Sequence, residues 1–182
     1  TDNSKIILDI QGSQLVVSGL TFDGAYNDPA ISAATGGALY AHTTSGSITI
    51  RRCIFRNNTA FRAPTIFQAS QTELVVEGCL MHNNTGNIGI IMSGIFGSNT
   101  YINCTVANNN VLGTGAVFYS FGAANLVLQN CVVSDNGSTP PLSTSMTVSA
   151  SNSLIQNQIA DPDFTFTDCV DAPAQFYDIA SA

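Results

Sequence analysis

Asp23, Arg56 and His82 are the residues whose types could act on a substrate together. They close three matching contexts, 20-LTFD-23, 53-CIFR-56 and 79-CLMH-82, and so hold equivalent places in successive units. A carboxylate, a guanidinium and an imidazole set side by side could grip a substrate carboxylate or pass a proton. The same three could equally form a solvated row of charges, opposite signs paired across strands. Cleavage of acidic polysaccharides by elimination calls for clustered acids around Ca²⁺ and a basic Arg or Lys. Hydrolysis calls for two or three carboxylates close together. No second carboxylate joins Asp23, so no catalytic residue is assigned and the triplet stands as a candidate only. Arg51 and Glu77 form a second pair of opposite charge, each two residues before a Cys.

What would bring such residues together is a repeat. The stretch 48-ITIRRCIFRNNTA-60 has a near copy at 74-LVVEGCLMHNNTG-86. With its Cys as anchor, the context recurs at Leu20, Cys53, Cys79, Cys104, Cys131 and Ser153, in steps of 33, 26, 25, 27 and 22 residues. Two past the anchor lie Phe22, Phe55, Met81, Val106, Val133 and Ile155; five before it the residues are mostly aliphatic. A third apolar run follows in each unit: 37-GALYA-41, 64-PTIFQA-69, 89-GIIMSG-94 and 115-GAVFYSF-121. Alternation with period two means strands. A unit of about 25 residues with three short strands buries its faces only by stacking on its neighbours. The expected fold is all-β, a single-stranded right-handed parallel β-helix of about 5–6 coils with three short strands per coil. Repeats are expected over 1–160 and a C-terminal cap or tail over 161–182.

Stacking turns repeated residues into ladders. Cys53, Cys79, Cys104 and Cys131 are expected as a column of small buried side chains, more often thiols than bridges because parallel Cβ vectors do not converge. Cys169 falls outside that column. Asn57, Asn83, Asn108 and Asn157, four past the anchor, are expected as an inward ladder at a sharp bend, where Asn tolerates unusual backbone angles. The segment 23-DGAYNDPAISAATG-36 accounts for the long first step as a loop.

The pairing of 36-GGAL-39 with 55-FRNN-58, softened later to 81-MHNN-84, 106-VANN-109 and 133-VSDN-136, resembles the repeats of the polymorphic outer membrane proteins. The resemblance spans roughly residues 15–158. It implies a surface-exposed right-handed β-helix used in adhesion and display, with no catalytic residues. The wider pectate-lyase-like group is similar in coil and Asn ladder, and it includes enzymes that cleave acidic polysaccharides. A polysaccharide lyase or glycoside hydrolase is therefore the alternative function.

Composition bounds the partners. Only 9% of residues are charged against 45% hydrophobic, so Asn, Ser, Thr and Gln must supply solubility, as suits an extracellular or cell-surface protein. A net charge of −7, with Arg51, Arg52, Arg56 and Arg62 as a short cluster, does not suit nucleic acid. No apolar run is long enough for a membrane span. No signal peptide is visible, so the chain reads as mature or as a piece of a longer one. No cofactor or metal is expected. Asp161, Asp163, Asp168 and Asp171 lack the Gly turn and closing Glu of a calcium loop, and Phe164 and Phe166 among them suit a cap. His42 has no assigned partner.

One past the anchor lie Ile54, Leu80, Val132 and Leu154, an outward aliphatic stripe and hence an interface candidate, unless the long loop or 138-STPPLSTS-145 folds over it. Sequons stand at Asn57, Asn83, Asn103 and Asn136; with the first two facing inward, Asn103 and Asn136 are the glycosylation candidates. Self-association, or binding of another surface protein or glycan, is the expected mode of action, and open strand edges would favour filaments or envelope layers. Ice binding would need a flat outward Thr ladder, and Thr21, Thr49 and Thr105 are scattered.

Overall fold

The computed structural model describes residues 7–10, 14–30, 36–41, 46–69, 73–94, 97–137, 140–158 and 160–172. His42 and the last ten residues of the expected cap lie outside the described residues. The described chain winds as a parallel β-solenoid of about four regular turns of about 26 residues, with partial turns at either end. The expected five to six coils therefore include irregular ones.

Each turn contributes one rung to each of three main sheets. The seven-stranded sheet runs from Gln14–Ser18 through Ser47–Arg51, Glu73–Glu77, Ser98–Ile102, Ala124–Gln129 and Met146–Ser151 to Phe164–Thr167. The six-stranded sheet runs from Thr21–Asp23 through Ile54–Arg56, Leu80–His82, Thr105–Ala107 and Val132–Ser134 to Leu154–Ile155. A five-stranded sheet carries the apolar runs, and a short fourth sheet joins Thr59–Ala60, Thr85–Gly86 and Asn110–Val111. All pairs are parallel and in register, so Phe22, Phe55, Met81, Val106, Val133 and Ile155 stand in one file.

Two files of left-handed residues make the corners that frame the six-stranded sheet. One before the anchor, Gly19, Arg52, Gly78, Asn103, Asn130, Asn152 and Asp168 have φ between 49° and 71°. Four past it, Gly24, Asn57, Asn83, Asn108, Asp135 and Asn157 have φ between 55° and 71°. Gly, Asn and Asp dominate both files because they tolerate this region with least strain. Backbone bonds run from corner to corner, such as Asn103 N to Gln129 O at 2.9 Å and Asn152 N to Thr167 O at 3.0 Å. The GGAL motif has its own reason. Gly36 has φ 72°, and a Cβ on Gly37 would stand 2.6 Å from the Pro64 carbonyl oxygen.

The inward rows fill the coil. Phe22 and Phe55 stack with ring centroids 4.7 Å apart, and Ile48, Ile50, Phe55 and Leu128 are wholly buried. The four Cys form the expected column and are free thiols. Each donates to the carbonyl two residues back, at 3.3–3.4 Å. Ser153 continues the column, accepting the Cys131 N–H at 3.0 Å. Cys169 corrects the sequence reading: it bonds the Thr167 carbonyl at 3.4 Å in the same way and occupies the anchor place of one more coil. Strand pairing accordingly continues past residue 160. Val148 faces Phe164, Ala150 faces Phe166, and Val170 bridges Leu154. Phe164 and Phe166 do lie against the core, as rungs of the inward rows.

The Asn ladder is also corrected. Asn57, Asn83, Asn108 and Asn157 hold the left-handed corner, but they are exposed. The buried ladder is one residue later: Asn58, Asn84, Asn109 and Asn136. In it Asn58, Asn84 and Asn109 each donate through Nδ2 to the Oδ1 of the next rung at 2.9 Å, and through the backbone N–H to the same oxygen at 3.0 Å. Nδ2 also reaches a carbonyl one coil back, from Phe22 O to Val106 O, at 2.9–3.1 Å. The left-handed residue turns the chain, which resets the in–out parity for the residue that follows.

Candidate functional site

With the inside filled, function falls to the outward rows. Asp23, Arg56 and His82 do come together in one file of the six-stranded sheet. Arg56 donates through Nε at 2.9 Å and Nη2 at 2.8 Å to Asp23 Oδ2. Asn57 Nδ2 donates to Oδ1 at 2.9 Å. Both carboxylate oxygens are thus engaged, and the Asn57 bond, then Arg56, hold the Asp23 carboxyl below its ordinary value. An acid so stabilised as its anion is poorly suited to proton transfer near neutrality. Arg51 Nε pairs at 3.2 Å with Oε2 of Glu77, its register partner on the next rung of the seven-stranded sheet. Both pairs are close to half exposed, which is the geometry of a surface charge row.

The tail acids of the last coil are engaged in separate local bonds. Asp161 Oδ1 accepts the Asp163 N–H at 2.9 Å, and Asp171 Oδ1 accepts the Asn157 N–H at 2.8 Å. Among the described residues no three His, Cys, Asp or Glu side chains converge as metal ligands would.

The apolar file one past the anchor is the most extended outward feature of the six-stranded sheet. Ile54, Leu80, Val132 and Leu154 stand in register with Thr21 and Thr105, all partly or fully exposed, and Val170 extends the file at 56% exposure. The described parts of the two loops lie elsewhere. Residues 140–143 bond alongside the five-stranded sheet, with Val117 N to Pro140 O at 3.1 Å and Ser143 N to Phe118 O at 3.0 Å. Tyr26 bridges Thr59, beyond the Asn ladder. The row is a shallow aliphatic strip framed by two rigid polar corners.

A second outward cluster escaped the sequence reading. On the five-stranded sheet Tyr40, Phe67, Met92 and Tyr119 form a file facing away from the coil interior, packed with Ala63, Ala69 and Ile88. Tyr40 stacks on Phe67 at 5.3 Å, and the Arg62 guanidinium lies 5.2 Å from the Phe121 ring. The signal was present: these runs are apolar throughout, as a strand covered on both faces must be.

The sequons change roles with the ladder. Asn136 is only 6% exposed and bonded through its amide, so, contrary to the expectation from its sequon, it has no free amide to carry a glycan in the folded chain. Asn103 is exposed at a corner, as are Asn57 and Asn83.

A family model described as a right-handed beta helix region matches residues 28–160. No curated protein matches the chain. No solved structure matches it either. The family match gives the hand of the solenoid and covers every regular turn, from the Cys column to the Asn ladder: the chain belongs to the right-handed β-helix family.

Proposed function

We propose that this chain is a non-catalytic β-helix module of the extracellular or cell-surface kind, acting as a stiff scaffold that docks through its long flanks. The observation that carries this is the partly exposed row Ile54–Leu80–Thr105–Val132–Leu154, held between two corner files. Completing the burial of such aliphatic side chains is worth about 1 kcal/mol each, enough to make the row a binding face once a complementary surface meets it. The low charge content and the GGAL/FRNN repeats, which resemble the polymorphic outer membrane proteins, support a surface setting and an adhesive or structural role.

Two measurements test this together. Wild type and Leu80→Asp are compared for retention on arrayed surface glycans and envelope proteins, with circular dichroism confirming that both are folded. Docking through the row predicts that the substitution removes whatever the wild type binds; equal binding refutes it. Incubation with polygalacturonate and with alginate, each with and without Ca²⁺, is expected to yield no new ends. Unsaturated or reducing products would place the chain with the polysaccharide-cleaving enzymes instead.

A further inference from the structure

We infer that the partner of the apolar row is a second copy of this chain, laid against it side by side with the two stacks running in opposite directions. The inference rests on the docking role proposed above and names its occupant. The observation behind it is how charge is distributed along the stack. All four arginines, Arg51, Arg52, Arg56 and Arg62, fall in the second coil, whereas Asp161, Asp163, Asp168 and Asp171 gather in the last one. Arg51 and Arg56 are neutralised within the chain by Glu77 and Asp23. Among the described residues, Arg52 is the arginine bordering this face without a carboxylate partner; its Nη2 reaches only Ser18 Oγ, at 3.4 Å. Asp168 occupies the same corner file five coils on, and both residues are exposed.

Geometry then selects the arrangement. Let the coils be counted by their anchors: Leu20, Cys53, Cys79, Cys104, Cys131, Ser153 and Cys169. A two-fold axis parallel to the strands and lying between two facing six-stranded sheets keeps each file opposite its own equivalent and reverses the coil order. Placed between the fourth and fifth coils, it sets the second coil of one copy against the seventh of the other. Arg52 then meets Asp168, twice per dimer by symmetry. Along the apolar file the same operation brings Ile54 to Val170 and Leu80 to Leu154, aliphatic to aliphatic, with Thr105 against Val132 at the centre and Thr21 beyond the contact. One file over, Arg56 arrives beside the turn that carries Asp171. An isologous contact must be self-complementary in this way, and it closes at two copies.

Area supports a reversible contact. Six rungs at about 4.8 Å and a corner-to-corner width of about 16 Å give roughly 460 Å² per copy, or about 900 Å² in total, the size of a weak, reversible interface. Sheets packed face to face with strands nearly aligned are an ordinary arrangement.

Sedimentation velocity on the full chain across a wide concentration range tests the inference. The wild type is expected as a concentration-dependent dimer weakened by salt. Arg52→Asp and Asp168→Arg should each raise the dissociation constant roughly tenfold, because each replaces two attractions by two repulsions. The double exchange should restore it. Both corners already hold a left-handed residue, one an Arg and the other an Asp, so the exchange asks nothing new of the backbone. A wild type that stays monomeric at every concentration overturns the inference while leaving the array binding of the proposed function to stand or fall separately. A double exchange as weak as either single variant overturns the antiparallel register.

Discussion

Replacing Asn84 by Ala tests where the structural ladder runs. Asn84 Oδ1 accepts both the backbone N–H of Asn58, at 3.0 Å, and its side-chain amide, at 2.9 Å. Its Nδ2 donates to Asn109 Oδ1 at 2.9 Å and to the Phe55 and His82 carbonyls at 3.0 Å. Asn58 and Asn84 are wholly buried, so water does not replace the lost partners. The Asn58 N–H is left without the acceptor it has in the ladder, and the Phe55 carbonyl loses a donor. A buried group stranded this way costs about 1–3 kcal/mol. Two such groups, with the neighbouring amides weakened as well, put the expected loss at roughly 3–5 kcal/mol, a large share of the ~5–15 kcal/mol that stabilises a typical domain. The control is Asn83→Gly, one residue earlier. Asn83 is exposed with φ 56°, a conformation Gly adopts freely, so its change should stay within about 0.5 kcal/mol. Urea unfolding followed by circular dichroism reads both. With a slope near 2 kcal/mol/M, the Asn84 variant should lose roughly 1.5–2.5 M in midpoint and the Asn83 variant almost nothing. Equal losses, or a larger one at Asn83, would refute the inward assignment.

Three further outcomes are expected. The Asn57 amide, and after it Arg56, depress the folded-state pKa of Asp23 below its ordinary value of 3.8, so the stabilisation is fully present above that value and disappears as pH falls through the depressed one; the stability gap between wild type and Asp23→Asn should therefore be flat at neutral and mildly acidic pH and close only in strong acid, and a gap closing near neutrality would contradict these contacts. In Ellman titration of the folded protein, the half-buried Cys169 should react while Cys53, Cys79, Cys104 and Cys131 wait for denaturant; a second rapidly reacting thiol would show that the column opens. Made in a glycosylating host, the chain should carry glycan at Asn103, Asn57 or Asn83 and leave Asn136 bare, and mass spectrometry finding sugar on Asn136 in the folded product would contradict its burial.

The period was legible because it is a packing requirement. A Cys or Ser can continue the anchor column only if it lies directly over its equivalent, and that constraint writes itself into the spacing of Cys53, Cys79, Cys104 and Cys131. The charged file was legible for the same reason, since Asp23, Arg56 and His82 inherit their alignment from the inward Phe22, Phe55 and Met81. Alternation failed at the corners. Counting by twos from the anchor carries four past it to the inside, as for Phe55 two past, but a left-handed residue rotates the chain and the count begins again.

The doublets Asn57–Asn58, Asn83–Asn84 and Asn108–Asn109 hid that slip, because either member looked suitable. Asp135–Asn136 and Gly24–Ala25 held the signal that separates them. A corner asks only for tolerance of positive φ, so Gly, Asn and Asp exchange there. A buried ladder asks for an amide that donates and accepts at once, which neither Asp135 nor Gly24 supplies and Asn136 does. The file that admits substitutes is the bend, and the file that keeps its chemistry across four rungs is the ladder. The same reasoning bears on the outside. The file Thr21, Ile54, Leu80, Thr105, Val132, Leu154 and Val170 keeps aliphatic character on five of its seven rungs without the core to enforce it, and solvent alone gives no physical reason for such a column.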